Sequence, residues 1–194
     1  MNIILASASG VRKKILEKYK LNFKVIISNI DEDQIKDSLI AEGADPLAIS
    51  KNLAEIKSTH VSSKNLNILV LGADSVISLN NELINKPKSR KEALENLKKL
   101  NNSKHYLISS VCISLNGAMV WNHSDKSELK MKNFGNEELI KYLDKIKTET
   151  LLKYGVYQVE ADGLNLFEYI KGDMDSIMGL PIKQIMNYIK QYKK

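Results

Sequence analysis

The fold of this chain depends on the stretch Ile68-Leu69-Val70-Leu71-Gly72-Ala73-Asp74-Ser75-Val76-Ile77. Its first five positions carry no polar side chain, which is typical of a central strand that is buried on both faces. Asp74 interrupts this apolar pattern. Because an ionised carboxylate is costly to bury alone, it must be paired, bound to a metal or directed into a cleft. We therefore predict a central strand with a candidate general base or magnesium ligand; the alternative is an aspartate that only caps a turn.

Strands and helices alternate on the N-terminal side of this strand. We predict a strand over Asn2–Ala6, a helix that begins after Gly10, and a second strand over Phe23–Ile27. An acidic loop, Asp31-Glu32-Asp33, follows. The next helix begins at Asp45-Pro46, since Asp is a favoured N-cap and Pro suits the first helical position.

The C-terminal side predicts a hairpin and several helices. Ser89 to Glu92 has the capping-box pattern that opens a helix, and Asn116-Gly117 is a strong signal for a hairpin between two alternating strands. The remaining elements are strands over His105–Leu115 and Ala118–Met131, a helix over Glu137–Ile146, an extended stretch over Gly155–Ile170, and a last helix over Ile182–Tyr192. The sequence therefore predicts an α/β fold with a mixed central β-sheet flanked by helices, in one domain over residues 1–194.

The composition argues against a disulfide-stabilised protein and against a nucleic-acid-binding protein. The chain has 194 residues, 29 Lys and Arg against 23 Asp and Glu, a net charge of +6 and 43% hydrophobic residues. A domain of this length buries roughly 70% of its unfolded surface, so it needs no disulfide or structural metal. The one cysteine, Cys112, excludes a disulfide within the chain. Only Arg12 and Arg90 are arginines, and base recognition depends on arginine forks, so we expect no nucleic-acid partner.

The apolar runs indicate no membrane partner. The longest ones fall short of the ~18 to 20 residues that cross a bilayer. The start of the chain, Met1 to Ala6, lacks a positive n-region, and basic residues follow at Arg12 to Lys14, which argues against a signal peptide. We therefore expect a cytoplasmic protein.

The turn after the first strand is a candidate phosphate site. Ser7 and Ser9 lie between a strand end and a helix start, where backbone N–H groups and the positive end of the helix converge. Arg12, one turn into the helix, could fork onto a phosphate. The alternative is that Ser9 is only an N-cap, because the turn is neither a Walker loop nor a dinucleotide fingerprint.

Other charged residues are weaker candidates. Glu32 could complete a carboxylate cluster with Asp74, or lie in a solvated loop. Lys57 and Lys86 are two lysines among many, although Pro87 fixes the chain direction after Lys86. The three histidines have no metal-ligand spacing among themselves or with the cysteine, which argues against a zinc site.

Together, the motifs of this chain resemble the Maf family of bacterial nucleotide pyrophosphatases over nearly its whole length. Their order and spacing carry the resemblance, since each motif alone is short. They are Leu5-Ala6-Ser7-Ala8-Ser9 with Arg12, Asp31-Glu32, Leu53-Ala54 with Lys57, Gly72-Ala73-Asp74-Ser75-Val76, Lys86-Pro87, His105, Gly155 to Glu160, and Gly172-Asp173 with Gly179-Leu180-Pro181.

The resemblance implies an inosine-triphosphatase-like fold, two-lobed with a cleft, and hydrolysis of a nucleoside triphosphate to the monophosphate and pyrophosphate. It also implies a divalent cation, Mg²⁺ or Mn²⁺, with Glu32 and Asp74 as its ligands. A homodimer is implied too, and the Asn116-Gly117 hairpin is a candidate contact. The implied roles are proton acceptor for Asp74, phosphate binding for Ser7, Ser9 and Arg12, and further active-site positions for Glu32, Lys57 and Lys86.

The positions that the family ties to substrate specificity correspond to Val11, Ser75 and Glu160. The branch that acts on dTTP and UTP carries Arg, Thr and Gln there. Glu160 instead resembles the branch that acts on 7-methyl-GTP, which has an aromatic residue where this chain has Val11. A carboxylate at this position could accept two hydrogen bonds from the N1 and N2 edge of guanine.

Two other functions stay open. One is a house-cleaning enzyme of the inosine-triphosphatase type, which would prefer ITP or XTP. The other is a non-catalytic, nucleotide-binding regulator of cell division, in line with the family's association with septum formation. The first would also depend on Asp74, whereas the second would bind nucleotides without turnover and would be indifferent to Asp74→Asn.

Overall fold

The computed structural model describes residues 2–159 and 162–192. Over these residues the chain forms seven strands, eight α-helices and a short 3-10 helix over Asp162–Leu166. The strands are β1 Ile3–Leu5, β2 Phe23–Val25, β3 Leu69–Leu79, β4 Glu82–Ile84, β5 Lys104–Leu115, β6 Ala118–Met131 and β7 Phe167–Lys171. The helices are α1 Gly10–Lys18, α2 Glu32–Ala41, α3 Pro46–Ser62, α4 Arg90–Leu100, α5 Asn136–Asp144, α6 Thr148–Tyr154, α7 Met174–Ile177 and α8 Ile182–Tyr192.

The strands form one mixed sheet in the order β2-β1-β3-β5-β6-β7, and β4 also pairs with β3. β1 runs parallel to β2 and β3, and the other neighbours are antiparallel. The predicted central strand is therefore confirmed as β3, which pairs with three other strands. The predicted mixed sheet flanked by helices is confirmed as well.

Two hydrophobic clusters pack at opposite ends of β3. Leu71 and Ala73 belong to the first cluster, together with residues of α1 and α8. Ile77 and Leu79 pack against the second, together with residues of α4, α5 and α6. Alternate residues of a strand face the same side, so Ser75 lies between the two clusters on that side. A cleft opens between the two clusters, where the apolar pattern stops at Ser75.

Helix α3 packs closely on the other side of β3, and Gly72 allows this approach. A Cβ at Gly72 would lie 2.1 Å from the carbonyl oxygen of Ala54 and 2.7 Å from the amide nitrogen of Ser58. Real side chains do not tolerate such contacts without moving the helix. Lys57 on α3 is thereby held against the strand that carries Asp74.

The local signals for helix and hairpin boundaries are confirmed. Asp45 caps α3 and accepts a hydrogen bond from the amide of Ala48, while Ser89 caps α4. The hairpin turn does not stand free, because the side-chain oxygen of Asn116 accepts from the amide of Asn67 at 2.7 Å. The amide of Gly117 also donates to Ser62 at the end of α3.

Two predictions about secondary structure are wrong. The acidic segment is not a loop: Asp31 is the N-cap of α2, and Glu32 and Asp33 form its first turn, where acidic side chains complement the helix dipole. The stretch Gly155–Ile170 is not continuously extended: among its described residues only those of β7 form a strand, and the 3-10 helix precedes it. The sequence analysis also missed β4, α6 and α7. None of the helices within the described ranges combines the length and apolar character needed to cross a membrane.

Candidate active site

The cleft opens beside an unpaired segment of β3. β1 pairs with β3 only as far as Leu71, and β4 takes over at Ile77. Among the described residues, Gly72–Val76 has no strand partner on this side. A cleft of about 330 Å³ lies there, between the start of α1, the start of α2, β4 and the loops after α6 and α7.

Two carboxylates and one lysine meet in this cleft. Lys57 Nζ lies 2.8 Å from Asp74 Oδ1 and 2.7 Å from Glu32 Oε2. Lys57 is only 5% exposed and Asp74 only 7%, so the ammonium compensates a charge that would be costly to bury alone. The other oxygen of Asp74, Oδ2, is buried and has no hydrogen-bond partner among the described residues. The predicted carboxylate pair is therefore brought together, and Asp74 lines the cleft with an unused acceptor.

The charges of the cleft shift the pKa of Glu32. Burial opposes its ionisation, but the charge and hydrogen bond of Lys57 outweigh burial, with help from Lys86 and Lys36, so the pKa lies below its ordinary value. Lys86 also lines the cleft. Desolvation there lowers the pKa of Lys86, against the opposing attraction of Asp74 and Glu32. The cleft thus gathers ammonium groups around a carboxylate pair.

Arg12 is buried and binds groups of the protein from three parts of the chain. Its Nε donates to the carbonyl of Gly179 at 2.9 Å, and Nη1 donates to the carbonyl of Ala73 and to Ser7 Oγ. Nη2 donates to Ser75 Oγ at 3.1 Å. Desolvation lowers the pKa of Arg12, and the charges of Asp74 and Glu32 partly offset this. The phosphate role of Arg12 stays a prediction, since four of the five guanidinium N–H groups hold the cleft together.

The backbone at Gly179 makes one of these bonds possible. Its φ is +98°, a region that favours glycine, and a Cβ there would lie 3.1 Å from Ser75 Oγ. A side chain at this position would therefore crowd Ser75, which binds Arg12, and would strain the turn before α8.

The serines of the N-terminal turn are engaged with the backbone. Ser9 Oγ accepts from the amide of Arg12, which confirms that Ser9 is the N-cap of α1. Ser7 Oγ accepts from the amide of Ser9. The amides of Gly10 and Val11, at the positive end of α1, have no acceptor among the described residues. Both serines line the cleft, where a bound phosphate could reach them. Their phosphate role stays a prediction.

The three specificity positions have different surroundings. Val11 and Ser75 both line the cleft, and the hydroxyl of Ser75 is bound to Arg12 and, at 2.9 Å, to Ser109. Glu160 lies outside the described residues. Its predicted contact with a base therefore stays a prediction.

Lys36 and Tyr154 are among the residues of the cleft that the sequence analysis missed. Lys36 lies one helical turn after Glu32 on α2, and it pairs with Asp33 at 3.2 Å. The spacing of four residues between Glu32 and Lys36 would have indicated this arrangement, had the segment been predicted as a helix.

His105 supports the core and does not line the cleft. It is fully buried, its Nε2 lies 3.0 Å from the hydroxyl of Tyr157, and its ring packs beside Phe167. Burial lowers the pKa of His105 to about 4. The motif position of His105 is explained by this contact, because Tyr157 belongs to the chain segment that borders the cleft.

We expect the stability of the protein to fall in mild acid because of His105. The unfolded chain takes up a proton near pH 6.5, whereas folded His105 stays neutral down to about pH 4. The contribution of His105 to the free energy of unfolding is therefore complete above pH 6.5. It is lost between about pH 6.5 and 4, by at most roughly 1.4 kcal/mol per pH unit. Urea denaturation across this range measures the free energy of unfolding at each pH. His105→Gln should remove this component, and an unchanged pH dependence in that variant would contradict the assignment.

The carboxylate pair has the donor chemistry that a magnesium or manganese ion prefers. Glu32 and Asp74 offer hard oxygen ligands at one place, and Oδ2 of Asp74 has no hydrogen-bond partner among the described residues. Magnesium is commonly held by one or two carboxylates together with substrate phosphates. Over residues 2–159 and 162–192, no group of three or more His, Cys, Asp or Glu side chains is placed to hold a metal.

Comparison with known proteins shows which family the chain resembles. A family model described as "Maf-like protein" matches residues 2–192. The "Nucleoside triphosphate pyrophosphatase" of Pelagibacter ubique is 55% identical over 191 residues, covering 98% of each chain. The "7-methyl-GTP pyrophosphatase" of Rhizobium meliloti is 32% identical, covering 97% of this chain and 95% of its own. Among solved structures, the Staphylococcus aureus Ham1 protein aligns with 68% of this chain and 72% of its own, at 18% identity and a TM-score of 0.37.

Proposed function

The chain belongs to the Maf family, and from this premise we propose that it is a nucleoside triphosphate pyrophosphatase, a hydrolase that cleaves the α–β phosphoanhydride. The observation that carries the proposal is the buried carboxylate of Asp74. One of its oxygens is held by Lys57, the other has no hydrogen-bond partner among the described residues, and Asp74 lines a cleft that also contains several lysines.

Asp74 acts as the proton acceptor in this proposal. A water molecule attacks one phosphorus of the α–β anhydride, the bridging P–O bond breaks, and the water's proton passes to Asp74 Oδ2. The products are the nucleoside monophosphate and pyrophosphate. Lys57 keeps the carboxylate oriented through its 2.8 Å hydrogen bond to Oδ1, which leaves Oδ2 to the water.

The basic groups of the cleft hold the polyphosphate. Lys86 and Lys36 supply positive charge. The amides of Gly10 and Val11 at the start of α1 can donate hydrogen bonds to an anion such as a phosphate. Phosphoryl transfer depends mainly on such positioning and charge neutralisation. This end of the cleft is stabilised by the hydrogen bonds of Ser7, Ser9 and Arg12. The two serines are also candidates for direct phosphate contacts.

A divalent cation, Mg²⁺ or Mn²⁺, fits the same site with Glu32 and Asp74 as its protein ligands. When bound it would neutralise phosphate charge and lower the pKa of a bound water. Lys57 would then share the carboxylate oxygens with the cation, and the low pKa of Glu32 keeps that ligand ionised.

We propose 7-methyl-GTP as the substrate that this chain prefers. Glu160 supports it, because a carboxylate can accept from both N–H groups of a guanine edge and also attracts a cationic base. The relatives named 7-methyl-GTP pyrophosphatase, at 32% and 31% identity, are in line with it. We further propose a cytoplasmic location and a homodimer.

A panel of nucleotides tests the reaction and the base together. The purified protein is incubated with Mg²⁺ or Mn²⁺ and with 7-methyl-GTP, GTP, dTTP, UTP, CTP, ITP or ATP, and pyrophosphate and orthophosphate are assayed separately. We expect pyrophosphate alone, released fastest from 7-methyl-GTP, and a reduced preference for it in Glu160→Gln. Preference for dTTP or UTP would contradict the proposed base, preference for ITP would favour the house-cleaning alternative, and binding without turnover would favour the regulator.

A further inference from the structure

Tyr154 is a partly exposed aromatic side chain that lines the cleft. It is the last residue of α6, is 37% exposed and belongs to neither hydrophobic cluster. Its hydroxyl lies 4.0 Å from the position that a Cβ of Gly10 would occupy, so the side chain reaches the first residue of α1. No hydrogen bond of this hydroxyl to any described residue exists. The Tyr154 side chain is thus available to a ligand in the cleft over part of its surface.

The backbone on both sides of Tyr154 is fixed. Leu151, one turn earlier, is fully buried, and Val156 and Tyr157 are buried after it. Gly155 ends the helix with a φ of +94°, and its amide donates to the carbonyl of Leu151. A ligand that stacks on Tyr154 therefore meets a backbone that is already ordered, which lowers the entropy lost on binding.

Among the described residues that line the cleft, Tyr154 and Tyr157 are the only aromatic ones. Tyr157 is buried in the core and bound to His105, so its ring is already in use. Lys153 Nζ lies 5.2 Å from the ring centroid of Tyr154, and the Tyr154 side chain is still 37% exposed. Val11, beside Gly10, offers no ring.

We infer that Tyr154 is the platform on which the nucleobase stacks when a nucleotide occupies the cleft. The inference rests on the proposed function, since a nucleotide must place its phosphates at the lysines and the α1 terminus. Because the Tyr154 hydroxyl approaches Gly10 at that terminus, we place the base against the Tyr154 ring, next to the phosphates. Stacking on an aromatic ring tolerates every base because each base has a π-face. Tyr154 thus contributes affinity for nucleotides in general, and hydrogen bonds elsewhere select the base.

Two ligands distinguish stacking from a structural effect of the substitution. A nucleotide has a base that can stack on Tyr154, whereas an inorganic polyphosphate has none. Isothermal titration calorimetry measures the Kd of GMP and of inorganic tripolyphosphate for the wild type, Tyr154→Phe and Tyr154→Leu. We expect Tyr154→Leu to raise the Kd of GMP about tenfold and to leave that of tripolyphosphate unchanged, while Tyr154→Phe stays within twofold for both. Tyr192→Leu, an exposed tyrosine outside the cleft, is the matched control. In turnover, Tyr154→Leu should raise KM and leave kcat within twofold.

The inference would be overturned by an unchanged affinity of Tyr154→Leu for GMP, by an equal loss for GMP and tripolyphosphate, or by a wild type that binds no GMP. Wild-type protein that binds GMP through Tyr154 and releases no pyrophosphate would leave the stacking platform intact and would overturn only the proposed function.

Discussion

The Asp74→Asn variant is expected to lose about a thousandfold in kcat for pyrophosphate release, within the range that a positioned general base contributes. The amide keeps the shape of the side chain and can keep one oxygen toward Lys57, which now lies 2.8 Å from Oδ1. It cannot take a proton from water. The variant should therefore bind nucleotides and still fail to hydrolyse them.

A steady-state assay of pyrophosphate release measures this effect, with circular dichroism to show that the variant is folded. Asp37→Asn is the matched control, because Asp37 is exposed on α2 and does not line the cleft. A folded Asp74→Asn protein that retains a tenth or more of wild-type kcat would contradict the role of Asp74 as proton acceptor.

The Lys57→Met variant is expected to be less stable by about 3 kcal/mol, as is typical when one partner of a buried ion pair is removed. The ammonium holds Asp74 and Glu32 together, and Asp74 has little access to water. Without Lys57 the two carboxylates lose the ammonium between them, and Asp74 is left buried without a directly bonded counter-charge. Pyrophosphate release should fall as well, because Asp74 loses the bond that orients it.

Urea denaturation at neutral pH gives the free energy of unfolding for this comparison. Lys51→Met, an exposed position on the same helix, should change it by less than about 0.5 kcal/mol. The double variant Lys57→Met with Asp74→Asn should lose less stability than the sum of the two single variants, since it contains one uncompensated carboxylate fewer. Additive losses would show that Lys57 and Asp74 are not energetically coupled.

Features with local causes could be predicted from the sequence. The apolar run into Asp74 predicts β3, and Asp45, Ser89 and Asn116-Gly117 predict two helix starts and a hairpin; the structure confirms each of them. These signals act within a few residues, so they do not depend on the rest of the fold.

Features that depend on distant partners could not be predicted from the residues alone. Lys57 is one lysine among many until Gly72 lets α3 approach β3 closely enough for Lys57 to meet Asp74. Arg12 donates to Ala73 and Gly179, which lie 61 and 167 residues away along the chain. The segment after Gly155 carries strand-forming residues, but Tyr157 and Val159 pack into the core and take no place in the sheet.

The position of bond cleavage tests the central claim most directly. The protein is incubated with Mg²⁺ and with two GTP analogues, one carrying a methylene bridge between the β- and γ-phosphates and the other between the α- and β-phosphates. We predict that the β,γ-methylene analogue is hydrolysed to GMP and methylenediphosphonate, that the α,β-methylene analogue stays intact, and that Asp74→Asn hydrolyses neither. Release of orthophosphate from the α,β-methylene analogue, with the β,γ-methylene analogue left intact, would contradict the claim that this cleft breaks the α–β bond.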